Sequence, residues 1–165
     1  MISSHKLHKK SLRKITFPLN DSNLIFTVSK DKSLKLTDLK HEQNILSIET
    51  AHDNPINCLT IIDHWLIATA DDDGCVKIWD YRQKKATMET KECQDYISDL
   101  VVGNDKRVLL ATSGEGTLTA FHTKKKKMIL QSELIDSEML CIAFMKVFLS
   151  SFLFGIKNDL FFRLE

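Results

Sequence analysis

Three segments of this chain align without a gap at a spacing of 42 residues, and that period constrains the fold more than any other feature. They are TVSKDKSLKLTD (27–38), TADDDGCVKIWD (69–80) and ATSGEGTLTAFH (111–122). The columns agree in chemistry as well as spacing. Leu34, Val76 and Leu118 fall together, as do Leu36, Ile78 and Ala120, and Thr37, Trp79 and Phe121. Asp31, Asp73 and Glu115 share an acidic position at a turn. With 165 residues, the chain is close to four such periods long.

Each period reads as β-structure. Val76, Lys77, Ile78 and Trp79 alternate and include β-branched and aromatic types. Asp71-Asp72-Asp73-Gly74 before them is a turn signal. Short apolar runs at Trp65–Ala70 and Ile56–Ile62 precede the turn, and Lys85–Glu89 predicts a fourth strand. No period holds an uninterrupted helical stretch, so helical hairpin repeats fit poorly. Four short strands in about 42 residues, repeated, are the signature of a propeller blade.

Composition removes other classes. Hydrophobic residues make up 43%, against wholesale disorder, and 23 basic against 22 acidic residues imply no global electrostatic partner. The apolar run near Val147–Ile156 is too short for a spanning helix, and the basic N-terminal stretch has no apolar core of a secretory signal. Cys58, Cys75, Cys93 and Cys141 form no CxxC pair, which speaks against zinc ribbons and thioredoxin-type chemistry and for a reducing compartment. No nucleophile elbow, Walker loop or Gly-rich dinucleotide turn is present, so no enzyme and no cofactor is expected.

Val76-Lys77-Ile78-Trp79-Asp80 after Asp73-Gly74, with Ala51-His52 upstream, resembles the WD-repeat family. Thr37-Asp38 and Phe121-His122 replace the WD pair in the flanking repeats. The resemblance implies an all-β partial WD-repeat β-propeller of about three four-stranded blades plus part of a fourth. The repeats are expected at 10–50, 51–92 and 93–132, with a fourth starting at 133–146. It runs from about Ser4 to Lys146 and then stops. Residues 147–165 hold five of the nine phenylalanines and read as a divergent hydrophobic tail, an alternative or truncated carboxyl end. An amphipathic membrane anchor there lacks a strong basic face, so no membrane partner is expected. An open array would expose apolar blade faces, and the isolated chain is expected to associate or to need a partner.

The resemblance also implies site residues. A hydrogen-bond series across a blade maps onto His52, Thr69, Asp73 and Trp79. A metal or catalytic cluster of His52, His64, Asp71, Asp72 and Asp73 is the alternative, but neighbouring side chains diverge and no cation-loop spacing follows. Residues 67–82 resemble a box by which some WD-repeat proteins dock onto the adaptor of cullin-4 ubiquitin ligases, with Asp73, Trp79, Asp80 and Arg82 at its restricted positions. Lys124, Lys125, Lys126 and Lys127 read as a nuclear-import signal, an RNA contact, or a solvated turn before an edge strand. A second basic cluster holds Lys6, Lys9, Lys10, Arg13 and Lys14. The branch of the family most resembled implies a protein-interaction scaffold in the nucleus and nucleolus, with the cytoplasm also open. Its expected partners are ribosome-assembly factors of ribosome biogenesis and rRNA processing. The alternative is a substrate receptor of a cullin-4 ligase.

Overall fold

A computed structural model describes residues 6–134, 136–145, 151–156 and 159–164, with side chains as far as residue 143. All of its regular structure is β. The first sheet holds β1 (Leu12–Thr16), β2 (Leu24–Ser29), β3 (Leu34–Asp38) and β4 (Gln43–Ile48). The second holds β5 (Ile56–Ile61), β6 (Leu66–Asp71), β7 (Cys75–Asp80) and β8 (Lys85–Lys91). The third holds β9 (Ile97–Val102), β10 (Val108–Ser113), β11 (Leu118–His122) and β12 (Lys127–Gln131). The fourth has three strands, β13 (Met139–Met145), β14 (Ser151–Ile156) and β15 (Asp159–Leu164). Strands β14 and β15 fall within the stretch read from sequence as a divergent tail, and they extend β13 antiparallel. The tail's phenylalanine side chains lie outside the described residues.

Every sheet is a meander of antiparallel neighbours, as short turns between consecutive strands demand. The first strands β1, β5, β9 and β13 pack side by side in that order, so they form the inner seam, with β4, β8 and β12 outermost. The sheets follow one another around this seam as part of a propeller and do not close into a ring. In the first three sheets, the turns between second and third strands and the linkers between sheets lie at one end of the strands, and the other turns lie at the opposite end. The β6–β7 turn needs Gly74: its φ is +75°, and a Cβ there would stand 2.2 Å from the Cys93 carbonyl oxygen.

The period of two in each strand supplies two apolar faces. On the second sheet, Leu59, Ile67 and Trp79 face the first sheet and pack with Phe26, Val28, Leu36 and Leu46. Cys58, Ala68, Ala70, Val76, Ile78 and Met88 face the third and pack with Ile97, Leu100, Leu109 and Phe121. The third sheet meets the fourth through Leu110, Leu118, Ala120, Met139 and Ile142.

One outer-strand column shows how far each interface reaches. Leu46, Met88 and Leu130 sit opposite Leu36, Ile78 and Ala120, so they occupy equivalent sites. Leu46 is 2% and Met88 6% exposed, each under the following sheet, whereas Leu130 is 54% exposed. Among the described residues, Met139 and Ile142 of the fourth sheet pack with Ala120, while Leu130 on β12 stays exposed. Truncation to Ala should therefore cost about 2–5 kcal/mol at Leu46 or Met88, and less than about 1 kcal/mol at Leu130. Urea midpoints of the three variants, measured against the parent chain, check this; equal losses at all three sites would contradict the burial.

Candidate functional site

The second sheet holds a buried polar series. His52 arrives on the linker from the first sheet, and Thr69 and Asp71 project from the same face of β6. His52 Nε2 lies 2.7 Å from Thr69 Oγ1, and Nδ1 lies 2.8 Å from Asp71 Oδ2. Trp79 Nε1 donates to Thr69 Oγ1 at 2.8 Å. Asp71 Oδ1 also accepts the backbone N–H groups of Asp73 and Cys75, each at 3.0 Å, which closes the β6–β7 turn. Burial works to raise the Asp71 carboxyl, but the His52 contact and the two backbone donors outweigh it and hold the group below its ordinary value.

The acid in this series is Asp71, not Asp73, which corrects the sequence assignment. The reason is strand parity. Strand β6 runs one residue further than the apolar pattern suggests, so Asp71 points the same way as Thr69. Asp73 lies beyond the strand, half exposed, with Lys91 Nζ at 2.5 Å.

A second series in the first sheet was not found from sequence. His8 Nε2 lies 2.8 Å from Thr27 Oγ1, and Nδ1 lies 2.8 Å from Ser33 Oγ and 3.2 Å from Asp31. Asp31 also accepts from the backbone of Lys9 and Ser33 and from the Ser33 hydroxyl, which hold its carboxyl well below the usual range against the opposing effect of burial. Here the acid comes from the turn, because the site equivalent to Asp71 is Ser29. His8 stands 44 residues before His52, so a gapless 42-residue register points to Lys10 and passes over it. In the third sheet the series is absent: Ala111 replaces the threonine and Gln94 the histidine.

His52, Asp71 and Cys75 bring three potential metal-ligand atoms within 4.8 Å of one another. Their chemistry fits a hydrogen-bonded series instead. Both His52 ring nitrogens are engaged, and burial, with the Asp71 charge, pushes the Cys75 thiol up to about 12, far from thiolate.

The residues of the adaptor-docking box do not share one surface. Trp79 and Asp80 are buried, and Asp73 and Arg82 lie at opposite ends of β7. Asp80 caps the β7–β8 turn through the Arg82 backbone N–H, at 3.1 Å. Arg82 closes a two-pronged pair onto the same carboxylate, at 2.9 and 2.6 Å, and lies over the Trp65 ring at 4.8 Å. Asp38 plays the same capping part in the first sheet, accepting from Lys40 and His41.

Two surface features remain. At the linker end of the inner seam, a depression of about 420 Å³ is lined by Arg13, Asn57, Asp72, Tyr96, Ser98 and Leu140, drawn from all four sheets. Arg13 Nε donates to Asn57 Oδ1 at 3.1 Å, and Asn57 donates on to Asp72. No motif marks these residues in the sequence, because only the seam brings them together. At the other end, Lys124–Lys127 are all exposed on the β11–β12 turn and the start of β12.

Meander sheets, a 42-residue repeat and a WD strand that closes onto an upstream His define the class: the chain is built of WD repeats arranged as part of a β-propeller. Residues 43–80 match the family "WD domain, G-beta repeat", a segment that takes β4 from the first sheet and β5–β7 from the second. Over 142 residues, 86% of the chain, it is 38% identical to a WD repeat-containing protein 55 homolog of Drosophila willistoni and 39% identical to that of Drosophila melanogaster. It spans 28% of the length of these relatives. In fold it is similar to the WD40 β-propeller domain of Doa1, with a TM-score of 0.84 at 14% identity, covering 96% of this chain and 51% of that one. The computationally designed protein Ika4 gives 0.83 at 16% identity, covering 98% and 94%.

Because Asp31 and Asp71 are held below their ordinary values in the folded state, the stability they contribute is complete above about pH 4. It is lost as pH falls from there toward the folded-state values. Asp71→Ala should cost about 1–3 kcal/mol at neutral pH by leaving the buried His52 Nδ1 without its partner, and should flatten part of the acid-side decline. Asp73→Ala should leave the midpoint close to that of the parent. Denaturation midpoints between neutral and acid pH check both; a larger loss at Asp73 than at Asp71 would restore the sequence assignment.

Proposed function

We propose that the chain works as a non-enzymatic protein-interaction scaffold in the nucleus and nucleolus, in ribosome biogenesis and rRNA processing. The observation that carries the reading is the similarity to WD repeat-containing protein 55 homologues over 86% of the chain. The nucleolar assignment comes from that branch of the WD-repeat family. The arrangement of polar groups favours a scaffold. The buried histidines are locked to Thr and Asp partners within their sheets, where they stiffen the blades and are not presented to a substrate. The depression at the inner seam offers a shallow polar surface of the kind that binds a protein segment.

The alternative of a cullin-4 ligase receptor gains nothing from the geometry, since Arg82 is committed to Asp80 and Trp65. Proximity labelling with the chain as bait in cells discriminates the two. Enrichment of ribosome-assembly factors is the expected outcome. Enrichment of ligase subunits in their place would overturn the reading. The same fusion made fluorescent should concentrate in nucleoli, with less nuclear signal after Lys124–Lys127 are changed to Ala.

A further inference from the structure

The fold sorts charges that the sequence interleaves. In the third sheet, Glu92, Asp95, Glu115, Glu133, Asp136 and Glu138 all fall in the linkers and the β10–β11 turn, at the linker end. Lys106, Arg107 and Lys124–Lys127 all fall at the opposite end, on the β9–β10 and β11–β12 turns, with Asp105 the one acid among them. A chain of net charge +1 therefore carries a concentrated basic surface at one end of one blade.

The two basic turns are tied together. The Thr123 backbone N–H donates to the Arg107 carbonyl at 2.9 Å, and its hydroxyl donates to the Lys106 carbonyl at 2.8 Å. Thr123 itself is buried beneath the turns. Lys106 and Lys126 both hold left-handed backbone, with φ of 59° and 54°, in turns closed by the Gly103 and His122 carbonyls. All six cations are exposed, and among the described residues none of the five lysines is held in an ion pair. Only Arg107 leans on an acid, Asp105, at 4.0 Å.

We propose that the joined β9–β10 and β11–β12 turns form a docking surface for the sugar-phosphate backbone of double-helical RNA. Unpaired ammonium groups on a fixed base suit a polyanion of regularly spaced phosphates, where binding is driven by counterion release. Protein interfaces centre on aromatic or Arg anchors and are depleted in Lys, whereas this surface holds five Lys and no aromatic residue, and its one Arg, Arg107, leans on Asp105. Neither turn contains an aromatic residue to stack an unpaired base, so the surface reads a duplex by its backbone and shape. The choice of RNA over another duplex rests on the nucleolar reading above.

The test is fluorescence anisotropy of a short labelled RNA duplex titrated with the 165-residue chain at several salt concentrations. The expected result is binding whose log–log salt slope is about −4 to −5, as for about five neutralised phosphates. Lys124→Glu with Lys125→Glu should weaken it by about tenfold or more, and Arg107→Glu should do so through the other turn. Lys30→Glu, exposed at the linker end, serves as the charge-matched control for Arg107→Glu and should leave binding unchanged; circular dichroism confirms that each variant folds. Binding that is absent, that falls equally with Lys30→Glu, or that is tighter for single-stranded RNA or an acidic peptide would overturn the proposal. Duplex binding by a chain without ribosome-assembly neighbours in cells would keep this surface and remove the nucleolar reading. No duplex binding by a chain that has such neighbours would do the reverse.

Discussion

Face-to-face burial between successive sheets is the contact on which everything else in this chain depends. Each sheet is too small to enclose a core, so its residues alternate to give two apolar faces, one for each neighbour. Ile67 and Trp79 serve the first sheet while Ala68 and Ile78, one residue away on the same strands, serve the third. A blade is therefore stable only between blades, and its outer strand is covered only where the next sheet extends far enough. The contrast between buried Met88 and exposed Leu130, at equivalent sites, is that dependence seen at one residue.

The buried polar series locks the linkers onto this stack. His8 and His52 both lie in segments without regular structure, and each is held by a threonine of its sheet's second strand and by an aspartate, Asp31 in the turn after that strand and Asp71 at the strand's end. Each series joins three separate pieces of chain, and its polar groups satisfy one another out of contact with water. The first sheet keeps its series without a Trp, and the third loses it along with its histidine and threonine. Hydrophobic packing thus carries all three interfaces, and the polar series adds rigidity where the right residues occur.

Much of the architecture was legible in the sequence because a 42-residue period with alternating strands has few physical solutions. The strands, their turns and the repeated four-stranded unit follow from spacing and pattern, and the resemblance to the WD-repeat family implied the partial propeller. The sites were less legible. A gapless register missed His8 by two residues, because the β1–β2 turn of the first sheet is longer than the β5–β6 turn of the second, which shifts everything before it. The family resemblance likewise pointed to Asp73, where the structure uses Asp71. Which acid faces the histidine depends on where the strand ends, and three consecutive aspartates give no signal of that.

The sequence by itself determined the repeat, the number of strands in each unit and the two-faced character of every sheet, since those are local properties of spacing and alternation. Only the tertiary structure decided which polar groups meet. Arg13, Asn57, Ser98 and Leu140 share one depression because the first strands of four sheets converge there. Lys106 and Arg107 join Lys124–Lys127 because Thr123 bonds to their carbonyls across two turns. Those contacts depend on how the strands fold back beside one another, and a net charge near zero conceals them.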